Sequence, residues 1–178
     1  MSSSRFNIHR ISLDAVLVAI AVVISIIEGL IPSIGIPGVK LGLANIVILV
    51  CLYELGVLDA IIVNILRVFL AGVLRGNIFS MGFVMSLTGA AFSLIVIIVL
   101  YKLVKGLSII GISVVGAIFH VTGQILIAMI YLDTAYIWYY LPVISLSAII
   151  TGILTGIGAR LIIKTGIIKK VNNSYQEE

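Results

Sequence analysis

Between Ile11 and Ile163 the chain is a succession of apolar runs, each near the length that crosses a bilayer. A spanning helix needs about 20 mostly apolar residues, within a range of roughly 17–25. The runs predict six spans, at about 11–30, 41–53, 58–74, 78–100, 109–132 and 141–163. The expected fold class is therefore an all-α membrane protein, a six-transmembrane-helix bundle forming a single integral membrane domain over residues 1–178. The second run is short for a full crossing and meets the third at Tyr53-Glu54-Leu55-Gly56. Merging the two would require a helix far too long for one bilayer. The composition agrees: 62% of residues are hydrophobic and 10% charged, against about 25% charged in soluble domains.

The basic start, MSSSRFNIHR, followed by an apolar run, has the look of a signal peptide. The run exceeds the usual apolar core of about 7–15 residues, and Ser33-Ile34-Gly35 is a poor cleavage site, so it reads as a retained helix. With six spans both termini share one side, and Arg5, Arg10, Lys102, Lys105, Arg160, Lys164, Lys169 and Lys170 lie there. Lys40 and Arg75 lie opposite, and Arg67 is within a span. The positive-inside rule makes both termini cytoplasmic in a multi-pass cell-membrane protein. The net charge of +4 then reflects cytoplasmic Lys and Arg rather than a nucleic-acid partner. Cys51, the single cysteine, lies in an apolar run and reads as a small buried hydrophobe.

The stretch from Glu28 to Asn45, EGLIPSIGIPGVKLGLAN, is unlike a plain membrane turn. Pro32 and Pro37 each remove a backbone donor, and Pro37-Gly38 reads as a turn. Irregular backbone at membrane depth persists only when it is buried in protein or lines a cavity. This segment, the Arg75 loop and the Asp133 loop are expected to face outward together, as a site open to the outside.

Helical periodicity places further residues. Ala15, Ala19 and Val22 share a face of the first span, with Glu28 on roughly the opposite side. Such a small-residue face serves packing within the bundle or docking to a separate membrane protein. Ala60, Asn64, Arg67 and Ala71 line one stripe of the third span. An arginine at mid-membrane costs at least about 2.5–3.5 kcal/mol on insertion scales, so it faces a partner or a wet cavity. Glu28 is the natural counter-charge, either in a purely structural pair or beside a ligand. Ser113, Gly116, His120 and Gln124 share a stripe of the fifth span. His120 could hold a ligand, carry a proton with Glu28, or bond only to backbone. Gly82, Ser86, Gly89 and Ser93, and likewise Ala148, Gly152, Thr155, Gly156 and Ala159, read as packing stripes. Trp138-Tyr139-Tyr140 suits an interfacial aromatic belt.

Catalytic chemistry is hard to find. There is no Walker-type phosphate loop, no Ser/His/Asp set, and no aspartate-rich run to hold the magnesium ions of prenyl transfer. One intramembrane histidine without a Cys or carboxylate cluster makes no metal site, and no cofactor is expected. The outward polar set leans basic, with Lys40, Arg67 and Arg75 against Glu28 and Asp133. Arg suits carboxylate or phosphate recognition, so a ligand with an anionic group and an apolar body would match.

Glu28 with Pro37-Gly-Val-Lys-Leu-Gly-Leu-Ala-Asn45, then Arg67, Ser86-Leu87-Thr88-Gly89, and Gly111-Ile112-Ser113 through Gly116-Ala117 to His120 and Gln124, resembles the heptaprenyl diphosphate synthase component I family, also called the Gx transporter family. The likeness spans about Ile11 to Ile163. Val121 stands where that family often has Asn, which removes an amide from the site. The family is similar to the substrate-binding S components of energy-coupling factor (ECF) transporters. The resemblance implies a six-helix bundle with an outward pocket for a small vitamin-like or isoprenoid-related molecule. It implies docking through an AxxxA face, here Ala15 and Ala19, onto a transmembrane coupling protein and two ATPase subunits. Substrate-binding residues are then expected among Glu28, Lys40, Asn45, Arg67, Arg75, His120 and Gln124, with the lipid bilayer as surroundings. The family name implies the alternative, a membrane subunit of a heptaprenyl diphosphate synthase in isoprenoid biosynthesis. Neither reading makes the chain itself an enzyme.

Overall fold

The computed structural model describes residues 8–30, 40 and 42–174, with side chains from 10 to 171. Pro32, Pro37, the Pro37-Gly38 turn, Ser33-Ile34-Gly35, Arg5 and Leu41 lie outside the described residues. The elements in chain order are α1 (Ile8–Leu30), α2 (Asn45–Glu54), α3 (Val57–Leu74), α4 (Met81–Leu103), α5 (Ile109–Tyr131), a 3-10 segment (Ala135–Tyr140), α6 (Leu141–Thr165) and α7 (Ile167–Ser174). Among the described residues all regular structure is helical. Five helical stretches, containing α1, α3, α4, α5 and α6, are long and apolar enough to cross a membrane, and the chain is a multi-pass membrane protein.

The sixth expected span is corrected. The second apolar run forms only the ten-residue α2, which at 1.5 Å per residue rises about 15 Å, half the thickness of a hydrocarbon core. Its residues from Val47 to Leu52 are all buried. A helix apolar on every side belongs in a core, and α2 sits among α1, α3, α5 and α6. Gly56, at φ 124°, breaks the chain between α2 and α3, a conformation only glycine adopts without strain.

Local chemistry explains the other boundaries. Ser80 Oγ accepts from Phe83 N at 3.2 Å and Ser108 Oγ from Gly111 N at 3.1 Å, so hydroxyl caps start α4 and α5. Pro142 lies in the first turn of α6, and left-handed Gly166 ends it.

The helix α5 packs most extensively, with α4 on one side and α6 on the other. Small residues permit this. A Cβ on Gly123 would stand 3.0 Å from Thr88 O and 3.1 Å from Gly89 Cα, and one on Gly152 would stand 2.7 Å from Val114 Cα. The expected packing stripes of α4 and α6 are therefore largely close-approach surfaces, except that a Cβ on Gly82 would meet only Ser80 Oγ, at 3.9 Å. On α1 the small residues behave differently. Val22 is buried, while Ala15 and Ala19 are exposed among Val16, Ile20, Val23 and Ile27, so α1 keeps an uncovered small-residue face. Tyr136, Trp138, Tyr139 and Tyr140 on the 3-10 segment are all exposed.

At the opposite end of α1 from Glu28, a forked ion pair clamps α1 to α3. Arg10 Nε donates to Asp59 Oδ1 at 2.8 Å, and Arg10 Nη2 reaches Asp59 Oδ2 at 2.5 Å and Leu55 O at 3.0 Å. At the same end Lys169 N donates to Glu54 Oε2 at 3.2 Å, tying α7 to the end of α2.

Candidate functional site

The end of the bundle that carries Glu28 gathers polar side chains from α1, the α1–α2 connector, α2, α3, α4 and α5. Arg67, on the stripe of α3 with Asn64, is 3% exposed. Its Nε and Nη2 donate to Asn64 Oδ1 at 3.0 and 2.9 Å, and Nη2 also donates to Asn45 Oδ1 at 3.1 Å. Both asparagines are themselves anchored, Asn45 Nδ2 on Ser93 Oγ at 3.1 Å and Asn64 Nδ2 on Ala90 O at 3.3 Å. The guanidinium is thus positioned by two amides from two helices and a second ring of acceptors on α4.

Glu28 does not form the expected pair with Arg67. Its Oε1 accepts from the backbone N–H of Gly42 and, at 3.2 Å, of Leu43. These amides lie just ahead of the first turn of α2, where unpaired donors and the positive end of the helix dipole favour a carboxylate. Gly42 makes this possible. At φ 82° it adopts a left-handed conformation, and a Cβ there would stand 3.2 Å from Asn45 Nδ2 and 3.4 Å from the His120 ring. Glu28 and Arg67 face the same space without direct contact, which removes the simple structural-pair reading of both.

Gln124 is fully buried. Its Oε1 accepts from Lys40 N at 3.0 Å, which orients the amide. Its Nε2 therefore donates to His120 Nε2, 3.0 Å away. That bond makes His120 Nε2 an acceptor and leaves the ring proton on Nδ1 in the neutral imidazole. Nδ1 is buried with no hydrogen-bond partner among the described residues. The Lys40 ammonium donates to Ser86 Oγ. Burial pushes that ammonium down to about 8, with the charge of Arg75 acting the same way and Glu28 opposing. Arg75, the residue that ends α3, lies against Gly29, and its enclosed Nη2 has no hydrogen-bond partner among the described residues.

These groups enclose a small cavity of about 30 Å³. Ser25, Glu28, Lys40, Arg67, Arg75, Asn77, Ser86 and His120 form its polar wall, and Val68, Ala71, Gly72 and Phe83 its apolar one. A space of this size admits a water molecule or one compact polar group and not a whole organic ligand. All seven expected binding residues converge here, in two roles. Glu28, Lys40, Arg67, Arg75 and His120 line the cavity, whereas Asn45 and Gln124 stand behind and hold the liners. Sequence reasoning assigned Ser86 and Ser93 to packing. Their separation by seven residues, about two helical turns, keeps both on one face of α4, and that is the signal that could have placed them here. Asp133 is exposed and lies outside the cavity wall.

Curated proteins and solved structures offer no match to the chain. A family match covers residues 17–162, from the middle of α1 to the last turns of α6. It therefore takes in every residue of the cavity and of the network behind it. The chain belongs to the heptaprenyl diphosphate synthase component I family.

Proposed function

We propose that this protein is the substrate-binding subunit of an energy-coupling-factor-type transporter, taking up a small vitamin-like or isoprenoid-related molecule. The observation that carries this reading is the site itself. Six elements converge on one end of a membrane bundle to hold charged side chains around a cavity. Buried polar groups in a membrane are costly and mark ligand or ion sites. The uncovered Ala15 and Ala19 face supports the second half of the reading, since small residues permit close approach of a partner helix. ATP hydrolysis belongs to two partner ATPases reached through a membrane coupling protein, and the chain contributes no catalysis. In this arrangement both termini are cytoplasmic and the cavity faces outward.

Ala15→Trp tests the docking half. A bulky indole on that exposed face leaves the bundle folded but blocks helix approach. The variant should purify with unchanged thermal stability and without the coupling protein and ATPases. Full recovery of those partners with Ala15→Trp would rule out the face as the docking surface.

The family description supports one other reading, a membrane component of a heptaprenyl diphosphate synthase that works with a second, catalytic component. It predicts a soluble, aspartate-rich partner in place of ATPases.

A further inference from the structure

The cavity carries an imbalance of charge. Three cationic side chains, Lys40, Arg67 and Arg75, line it with a single carboxylate, Glu28. That carboxylate is engaged by the amides of Gly42 and Leu43, and no ion pair among the described residues joins it to any of the three cations. The connector cannot correct the imbalance, because residues 31–39 and 41 contain no Asp or Glu. Charges withdrawn from water need partners. Arg67 is satisfied by neutral amides, which position a guanidinium without neutralising it. Arg75 Nη2 is enclosed with no acceptor, and Nη1 of Arg67 makes no hydrogen bond among the described residues. Apart from Glu28, every polar side chain of the wall, Ser25 and Asn77 included, carries at least one donor, and none adds a negative charge.

We propose that the cavity binds an oxyanion, the phosphoryl or carboxylate end of a small molecule. Arg75, Lys40 and Arg67 hold its oxygens, and the neutral His120 ring stands beside them. This inference rests on the binding-subunit reading of the same site and names the chemical class it selects. The cavity volume admits one such group, so the remainder of the ligand lies beyond it. Glu28, by this assignment, orders the Gly42 turn and is not a contact for the anion.

The test is thermal unfolding of the full-length chain in nonionic detergent. Sodium phosphate and sodium acetate are each titrated against sodium chloride at equal ionic strength. Either oxyanion should raise the unfolding midpoint above chloride, and the one that does identifies the group. Arg75→Gln and Lys40→Gln should each raise the half-effective concentration at least tenfold, while Lys170→Gln, on α7, should leave it unchanged. No oxyanion-specific shift in the wild type, or an equal shift in both cavity variants, overturns the assignment. A chain that purifies with ATPases yet shows no such shift sinks the oxyanion alone. A clear shift in a chain without ATPase partners upholds the oxyanion site and sinks the transport reading.

Discussion

Asn64→Leu should destabilise the bundle more than Arg67→Met, although Arg67 carries the charge. Asn64 Oδ1 accepts from both Nε and Nη2 of a guanidinium that is 3% exposed. Hydrogen bonds to charged groups contribute about 1.5–3 kcal/mol each, so their loss beside a retained buried charge costs about 3–6 kcal/mol. Arg67→Met instead strands two neutral acceptors, Asn64 Oδ1 and Asn45 Oδ1, at about 1–3 kcal/mol each. It also removes a charge whose placement at mid-membrane costs about 2.5–3.5 kcal/mol. The terms largely offset, leaving a net cost of about 1 kcal/mol for Arg67→Met against about 4 kcal/mol for Asn64→Leu. Reversible unfolding in mixed micelles of rising SDS fraction measures both. The double variant should recover most of the stability lost by Asn64→Leu. If Arg67→Met is the more damaging and the double variant is worse than either, the arginine is a structural keystone and the account of it as a positioned, unneutralised cation is wrong.

Other perturbations probe separate parts of the site. Gly29→Ala places a Cβ within 2.6 Å of Arg75 Nη2; the flexible guanidinium should swing away, weakening the oxyanion response several-fold with little change in unfolding. Gly42→Ala forces an L-residue into a left-handed conformation at about 1–2 kcal/mol, and should lower stability and ligand response together, measured by unfolding and anion titration on one preparation. The Lys40 ammonium is held at about 8 against its ordinary 10.5. The anion needs the protonated form, so its stabilising effect should be present below pH 8 and fade as pH rises through that value. Folding linkage runs the other way, because the unfolded chain binds more protons between pH 8 and 10.5 and the anion-free protein gains stability across that window. A titration from pH 6.5 to 9.5 with and without phosphate separates the two, and a flat anion response would remove Lys40 from the contact set.

Much of this arrangement was legible in the sequence, because length and hydropathy act locally. The bounds of α3 and α5 fall within a residue of those read from their apolar runs, and α4 and α6 differ by a few at one or both ends. The half-depth α2 was not legible as such, since an apolar run says that a helix is buried and not whether lipid or protein buries it. The cavity residues were found because a carboxylate, lysine, arginine, histidine and amides are out of place in such a chain. Their roles were not. Glu28 looked like the partner of Arg67 because both are charged and near the same membrane depth. Its actual partners are backbone amides, which have no signature of their own in the sequence. The left-handed Gly42 brings them within reach. Ser86 and Ser93 were absorbed into a packing stripe because small residues serve both purposes, and only the positions of Lys40 and Asn45 separate the two. Periodicity placed Val22 on the same face as Ala15 and Ala19. Its burial depends on how far neighbouring helices wrap α1.

The central claim is that this chain binds a small molecule for transport driven by other subunits. Gentle purification from the native membrane, followed by mass spectrometry of both co-purifying proteins and retained small molecules, addresses it most directly. The account predicts a membrane coupling protein, two ATPase subunits and a small ligand bearing a phosphoryl or carboxylate group. Recovery of a soluble prenyl diphosphate synthase subunit with no ATPase would contradict it and make the protein a synthase component.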